Sequence, residues 1–108
     1  MEEATLATTQ IWRYFYSDTL GPGDWRWKSY GPADALGSAA LSVSAIPVDG
    51  IGEGGVYVLT VENINITDIE GPGSPGFPSH DHYVGFSVRN NGSTTITSWS
   101  ISIGLITP

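Results

Sequence analysis

Cysteine is missing altogether from this 108-residue chain. That excludes a disulfide framework, a thiol nucleophile and a thiolate metal site. Basic residues are scarce: Arg13, Arg26, Lys28 and Arg89 stand against eleven acids, for a net charge of −7. Nucleic-acid binding draws most of its affinity from neutralising phosphates, so this balance argues against nucleic acid, and the same reasoning argues against anionic membranes. Arg26 and Lys28 lie among Trp25, Trp27 and Tyr30, but two cations do not make a phosphate-binding footprint. No apolar run approaches the roughly 18 residues of a membrane span. The opening Met1-Glu2-Glu3-Ala4-Thr5 has neither the basic nor the apolar segment of a signal peptide, so the expectation is a chain kept in the cytosol or released by another route.

What is abundant is turn-formers and aromatics. Fourteen Gly and seven Pro accompany four Trp, five Tyr and three Phe, while charged residues make up only 14%. Few charges and many aromatics oppose disorder, and short apolar stretches between Gly/Pro clusters describe strands joined by tight loops. The length suits one domain, residues 1–108, with one core.

Along the chain, Thr5–Tyr16 reads as a strand with Ile11, Arg13 and Phe15 on one face and Trp12, Tyr14 and Tyr16 on the other. Both faces are bulky, which predicts cover on both sides. After Gly21-Pro22-Gly23, a second strand alternates Trp25, Trp27 and Ser29 against Arg26, Lys28 and Tyr30. Residues 32–36 allow one short helical turn. Leu41, Val43 and Ala45 form the inward face of a strand ended by Pro47. From Val56 a strand turns Tyr57, Leu59 and Val61 inward, and its apolar phase then moves to Ile64 and Ile66; a bulge at Glu62-Asn63 accounts for the change. Glu70–His80, with its three prolines, reads as a long surface loop. His82, Val84, Phe86 and Val88 share a strand face, Asn91-Gly92 signals a primed hairpin, and the final strand alternates Trp99, Ile101, Ile103 and Leu105 inward. About six strands and no substantial helix predict a small antiparallel β-sandwich of jelly-roll or Greek-key type.

Catalytic chemistry finds little support. His80 and His82 are spaced to share a strand face, as paired imidazole ligands do, but the His-x-His of the cupins comes with a nearby Glu and a third His, both lacking here. These two are weak candidates, and neither a bound metal nor a cofactor is expected. Ser79, Asp81 and His82 run along one strand, which is the wrong geometry for a relay. Asp49, Glu53, Asp68 and Glu70 could form a glycosidase-type pair, yet nothing selects one.

The aromatic excess says more. Trp12, Tyr14, Tyr16, Trp25, Trp27 and Tyr30 exceed what so small a core absorbs, and exposed aromatics mark interaction sites. Trp25 and Trp27 on one face, with Asp24, Arg26 and Tyr30 nearby, make a candidate carbohydrate site in which indoles stack on sugar rings. The expectation is therefore a non-enzymatic, lectin-like binding module that forms homo-oligomers. The alternative is a structural subunit of an oligomer, fibre or particle, and a hydrolase or metal-dependent enzyme is a distant third. The segment VGFSVRNNGSTTITSWSISIGLI resembles the closing hairpin of bacterial β-sandwich modules such as cellulose-binding domains and adhesion repeats. The resemblance implies the fold and nothing about binding residues.

Overall fold

The structure, a computed structural model, describes residues 8–51 and 54–107; Thr5–Ala7 of the expected first strand and the candidate acid Glu53 lie outside them. Six strands form: β1 (Thr8–Tyr16), β2 (Trp25–Tyr30), β3 (Ala40–Gly50), β4 (Leu59–Ser74), β5 (Phe77–Asn90) and β6 (Ile96–Thr107). They pair antiparallel in two three-stranded sheets, ordered β1-β6-β3 and β2-β5-β4. The one helical turn among the described residues is 3₁₀, at Asp34–Gly37, and it buries Leu36. Among the described residues no helix is long and apolar enough to cross a membrane.

The two central strands, β5 and β6, are consecutive in the chain and carry most of the core. Val84, Phe86 and Val88 face Ile96, Trp99, Ile101, Ile103 and Leu105, all fully buried. This matches the period-2 pattern of both segments, because alternate residues of a strand point to the same face. Trp99 donates from Nε1 to the Asp18 carbonyl at 2.8 Å and stacks on Tyr16 with 4.6 Å between ring centroids. Tyr14 stacks on Tyr30 at 4.2 Å, so β1 lies over β2 and an aromatic seam closes that edge of the sandwich. Lys28 Nζ sits 4.1 Å above the Tyr16 ring, a placement that ring quadrupoles favour.

Three local readings change. The segment at Asn91-Gly92 is no hairpin, because β5 and β6 belong to different sheets. The primed turn does not form, and the chain instead arches from one layer to the other. Buried Asn90 holds the arch: its Nδ2 donates to the carbonyls of Leu20 and Thr94, each at 2.9 Å, and its Oδ1 accepts from the Gly92 N–H at 3.0 Å. At Gly92 a Cβ would come within 2.7 Å of the Val56 carbonyl oxygen, so glycine serves close approach there. The second change is at Glu70–His80, which is paired rather than looped. β4 and β5 continue as one long hairpin that turns at Pro75-Gly76, with Ser74 opposite Phe77 and Gly76 at φ 77°. Proline followed by positive-φ glycine is what a type II turn requires. The other two prolines fall in the irregular stretch between the Gly71 and Ser74 pairings, where a lost ladder bond is tolerated. Third, β3 runs past Pro47 to Gly50 with a register shift just beyond it, since an edge strand leaves one side of its ladder unpaired.

The long hairpin draws the molecule out. Its Cα radius of gyration is 17.5 Å, with extents of 57 × 40 × 19 Å, against about 13 Å for a compact chain of this length. The thin dimension is that of two packed sheets.

Replacing Asn90 with Ala would leave the Thr94 carbonyl and the Gly92 N–H without their partner at the point where the sheets join. A loss of about 1–3 kcal/mol is expected in urea unfolding. A midpoint unchanged from wild type would show that the arch does not depend on this side chain.

Candidate functional site

The outer face of the β2-β5-β4 sheet gathers the most chemistry. On β2, Trp25 and Trp27 point outward, 53% and 49% exposed. The register sets Trp25 opposite Arg89 and Trp27 opposite Ser87 on β5, and these in turn pair with Thr60 and Glu62 on β4. The floor between the indoles and β4 is low, made of Ser87 and Gly85. The benzo edge of Trp27 reaches over Gly85, where a Cβ would meet Cζ2 at 2.6 Å and Asn65 Oδ1 at 3.2 Å.

The far wall is polar because of the bulge. Pairing shifts between Glu62 and Asn65, with Asn63 at φ 56°, a left-handed conformation that asparagine tolerates better than most residues. One extra residue in β4 turns both Glu62 and Asn65 to the outer face, where strict alternation would have sent them to opposite sides. Asn65 donates to the Asn63 carbonyl at 3.1 Å and accepts from Thr67 Oγ1 at 3.2 Å. Arg89 donates from Nε to Glu62 Oε1 at 3.2 Å and from Nη1 to the Gly23 carbonyl at 3.1 Å. The result is a shallow trough with an aromatic wall, a small-residue floor and a wall of amide, hydroxyl and ion-paired groups.

Of the five residues singled out from the sequence, Trp25 and Trp27 come together here and the others do not join them. Arg26 turns to the opposite side of β2, where it donates to Asp18 Oδ2 at 3.0 Å and to the carbonyls of Trp25 and Thr19. Asp24 sits in the preceding turn and accepts from the Gly21 N–H at 2.9 Å. Tyr30 lies in the aromatic seam, hydrogen-bonded hydroxyl to hydroxyl with Tyr16. Burial, reinforced by that bond and by the neighbouring tyrosines, pushes its hydroxyl above the ordinary phenol range. The polar residues of the trough were missed. Arg89, Glu62 and Asn65 lie far from the tryptophans in sequence, and only strand pairing brings them near; the phase change after Val61 was the one available signal.

His80 and His82 converge on a carboxylate that sequence spacing had not supplied. His80 Nδ1 lies 3.0 Å from Asp68 Oδ1, and His82 Nε2 lies 3.8 Å from Oδ2. His82 packs against Gly37, and its buried Nδ1 has no hydrogen-bond partner in the protein. Among the described residues no group of three or more His, Cys, Asp or Glu is arranged to hold a metal ion. Asp49 Oδ1 accepts from the Gly50 N–H at 2.8 Å, so two of the candidate acids are engaged in local contacts.

The chain matches no family model, no curated protein and no solved structure.

Replacing Gly85 with Ala should push the Trp27 indole off the floor. A shift in tryptophan emission with the sheet signal retained is the expected result, and an unchanged spectrum would mean that Trp27 does not rest there. A second prediction concerns alkaline pH. The folded state holds the Tyr30 proton more tightly than the unfolded chain does. This contribution to stability is complete below the ordinary tyrosine pKa of about 10 and is lost as pH rises above it. Melting temperature should therefore fall above about pH 10, and fall less steeply in Tyr30→Phe.

Proposed function

We propose that the protein is a non-catalytic β-sandwich module that binds neutral carbohydrate in the trough on the β2-β5-β4 face and associates with copies of itself. The observation that carries the reading is the side-by-side exposure of Trp25 and Trp27 beside the Arg89–Glu62 pair and Asn65. A sugar ring offers an apolar C–H face to an indole and hydroxyls to flanking donors and acceptors, so it needs both kinds of wall. Neutral sugars suit the site better than acidic ones. The single cation at the trough, Arg89, is already neutralised by Glu62, and the net charge of −7 repels anions.

The second reading, a structural subunit without a small ligand, is favoured by a separate observation. Ile11, Phe15, Ile46 and Val48 are exposed on the β1-β6-β3 sheet, and Ile69 and Phe77 are exposed on the β4-β5 hairpin beyond the trough. Scattered apolar residues are ordinary on a protein surface, but continuous faces of them mark interfaces.

Wild type, Trp25→Ala and Trp27→Ala titrated against a panel of neutral glycans decide between the readings. Carbohydrate binding predicts quenched or shifted tryptophan emission in wild type. Each substitution should weaken binding at least tenfold with little change in melting temperature, since a half-exposed side chain contributes little to folding. Emission that responds to no glycan, with oligomers that lose mass when Trp25 or Trp27 is replaced, would give the face to subunit assembly.

A further inference from the structure

The outer face of the β1-β6-β3 sheet, on the side of the molecule opposite the trough, has a relief that fits a second copy of itself. Pairing arranges its side chains in rows: Ile11–Gly104–Ser42, Arg13–Ser102–Ser44 and Phe15–Ser100–Ile46. The β1 members are long and exposed, Ile11 by 63% and Phe15 by 70%. Those on β6 are small throughout, and on β3 Ser42 and Ser44 are low while Ile46 stands up. One edge of the sheet is a ridge and, apart from Ile46, the remainder of these rows is a floor. A depression of about 270 Å³ opens at the Gly104 end of that floor, between Ile11, Ser42 and Ile106.

Charge selects the same face. The chain carries eleven acids against four bases, so two copies repel through most orientations. The one charged residue in these three rows is Arg13, whose Nε donates to Ser102 Oγ at 3.3 Å; an acid, Asp49, enters only in the row beyond Phe15–Ser100–Ile46, opposite Ser98.

We propose that this face docks onto the same face of a second copy, sheet on sheet, about a two-fold axis running along β6. The operation exchanges β1 with β3. Ile11 and Arg13 of each copy then lie over Ser42 and Ser44 of the other, and Phe15 meets Ile46. The two arginines end on opposite flanks. An axis running across the strands would instead set ridge on ridge and Arg13 against Arg13. Because the trough belongs to the other sheet, the dimer carries two troughs facing away from each other, able to engage two sugars on one polymer or surface. The inference rests on the self-association in the proposed function and adds the face and the axis; it does not depend on the ligand.

Sedimentation of the full chain at micromolar concentration tests it, with wild type, Phe15→Ser, Ser44→Arg and Ser44→Glu compared. Wild type should run at twice the 11.5 kDa chain mass. Phe15→Ser and Ser44→Arg should weaken the dimer at least tenfold without altering the circular dichroism of the dilute monomer, since both positions are exposed. Ser44→Glu should hold or tighten the dimer several-fold at low salt, because the new carboxylate meets Arg13 of the other copy. Wild type that stays monomeric at every concentration would overturn this dimer and the self-association together, leaving glycan titration to judge the trough alone. A dimer indifferent to Phe15→Ser and Ser44→Arg but dissociated by Trp27→Ala would overturn the face while keeping self-association. Weakening by Ser44→Glu would overturn the axis.

Discussion

The fold hangs on one buried polar residue at the place where the chain crosses between layers. Asn90 ends β5, and its amide ties Leu20, Gly92 and Thr94 together. Meanwhile its backbone N–H donates to Asp24 at 2.9 Å and Gly23 donates to its carbonyl at 2.8 Å. An amide side chain can donate twice and accept at the same time, which an aliphatic residue of similar size cannot do. The residue is fully buried, so each of these bonds is costly to lose. With the arch in place β5 faces β6, and all the other strands pair with one or the other of these two.

Both outer faces then follow from what the central strands present. β5 offers Gly85 and Ser87 outward, and β6 offers Gly104 and a run of serines, so each sheet has a low middle and side chains that rise at its edges. On one sheet the raised edge is the tryptophan pair of β2, and across the low middle lie the polar groups that the β4 bulge turns outward. On the other it is the ridge of β1. A common design with different edge residues thus yields one surface with an aromatic wall facing polar groups, on which the proposed sugar site rests, and one with an apolar ridge, on which the proposed dimer rests.

Fold class was legible because alternation is a local signal. The pattern from Trp99 to Leu105 specifies one buried face without reference to anything else in the chain, and the phase change at Glu62-Asn63 specifies a bulge. The arch at Asn90 was not legible. Asn-Gly fits a hairpin by local chemistry, and the choice between hairpin and arch depends on which sheet the next strand joins. That choice is made by β1 and β3, whose pairing partners on β6 lie up to 99 positions away, as between Thr8 and Thr107. The hairpin tip escapes local reading for a related reason: three prolines argue against a paired strand, but one sits in the turn and the other two lie in an irregular stretch that β2 does not reach, and that placement is a tertiary fact. At the site, the tryptophans were visible because their spacing is local, and Arg89, Glu62 and Asn65 were not, because only the ladder brings them to the same side.

The order of the strands along the chain bears on how the protein is made. β1, β2, β3 and β4 are all edges, and both strands that centre the sheets follow them. During synthesis the first four strands leave the ribosome before the strands they pair with. Until β5 emerges no ladder can form, and β1 and β3 must wait longer still, for β6. Nascent chains therefore pass through a long interval with Trp12, Tyr14 and Tyr16 in water and unpaired. Mutual repulsion among an excess of carboxylates opposes association in that interval, so acidity serves the unfolded chain as well as the finished one.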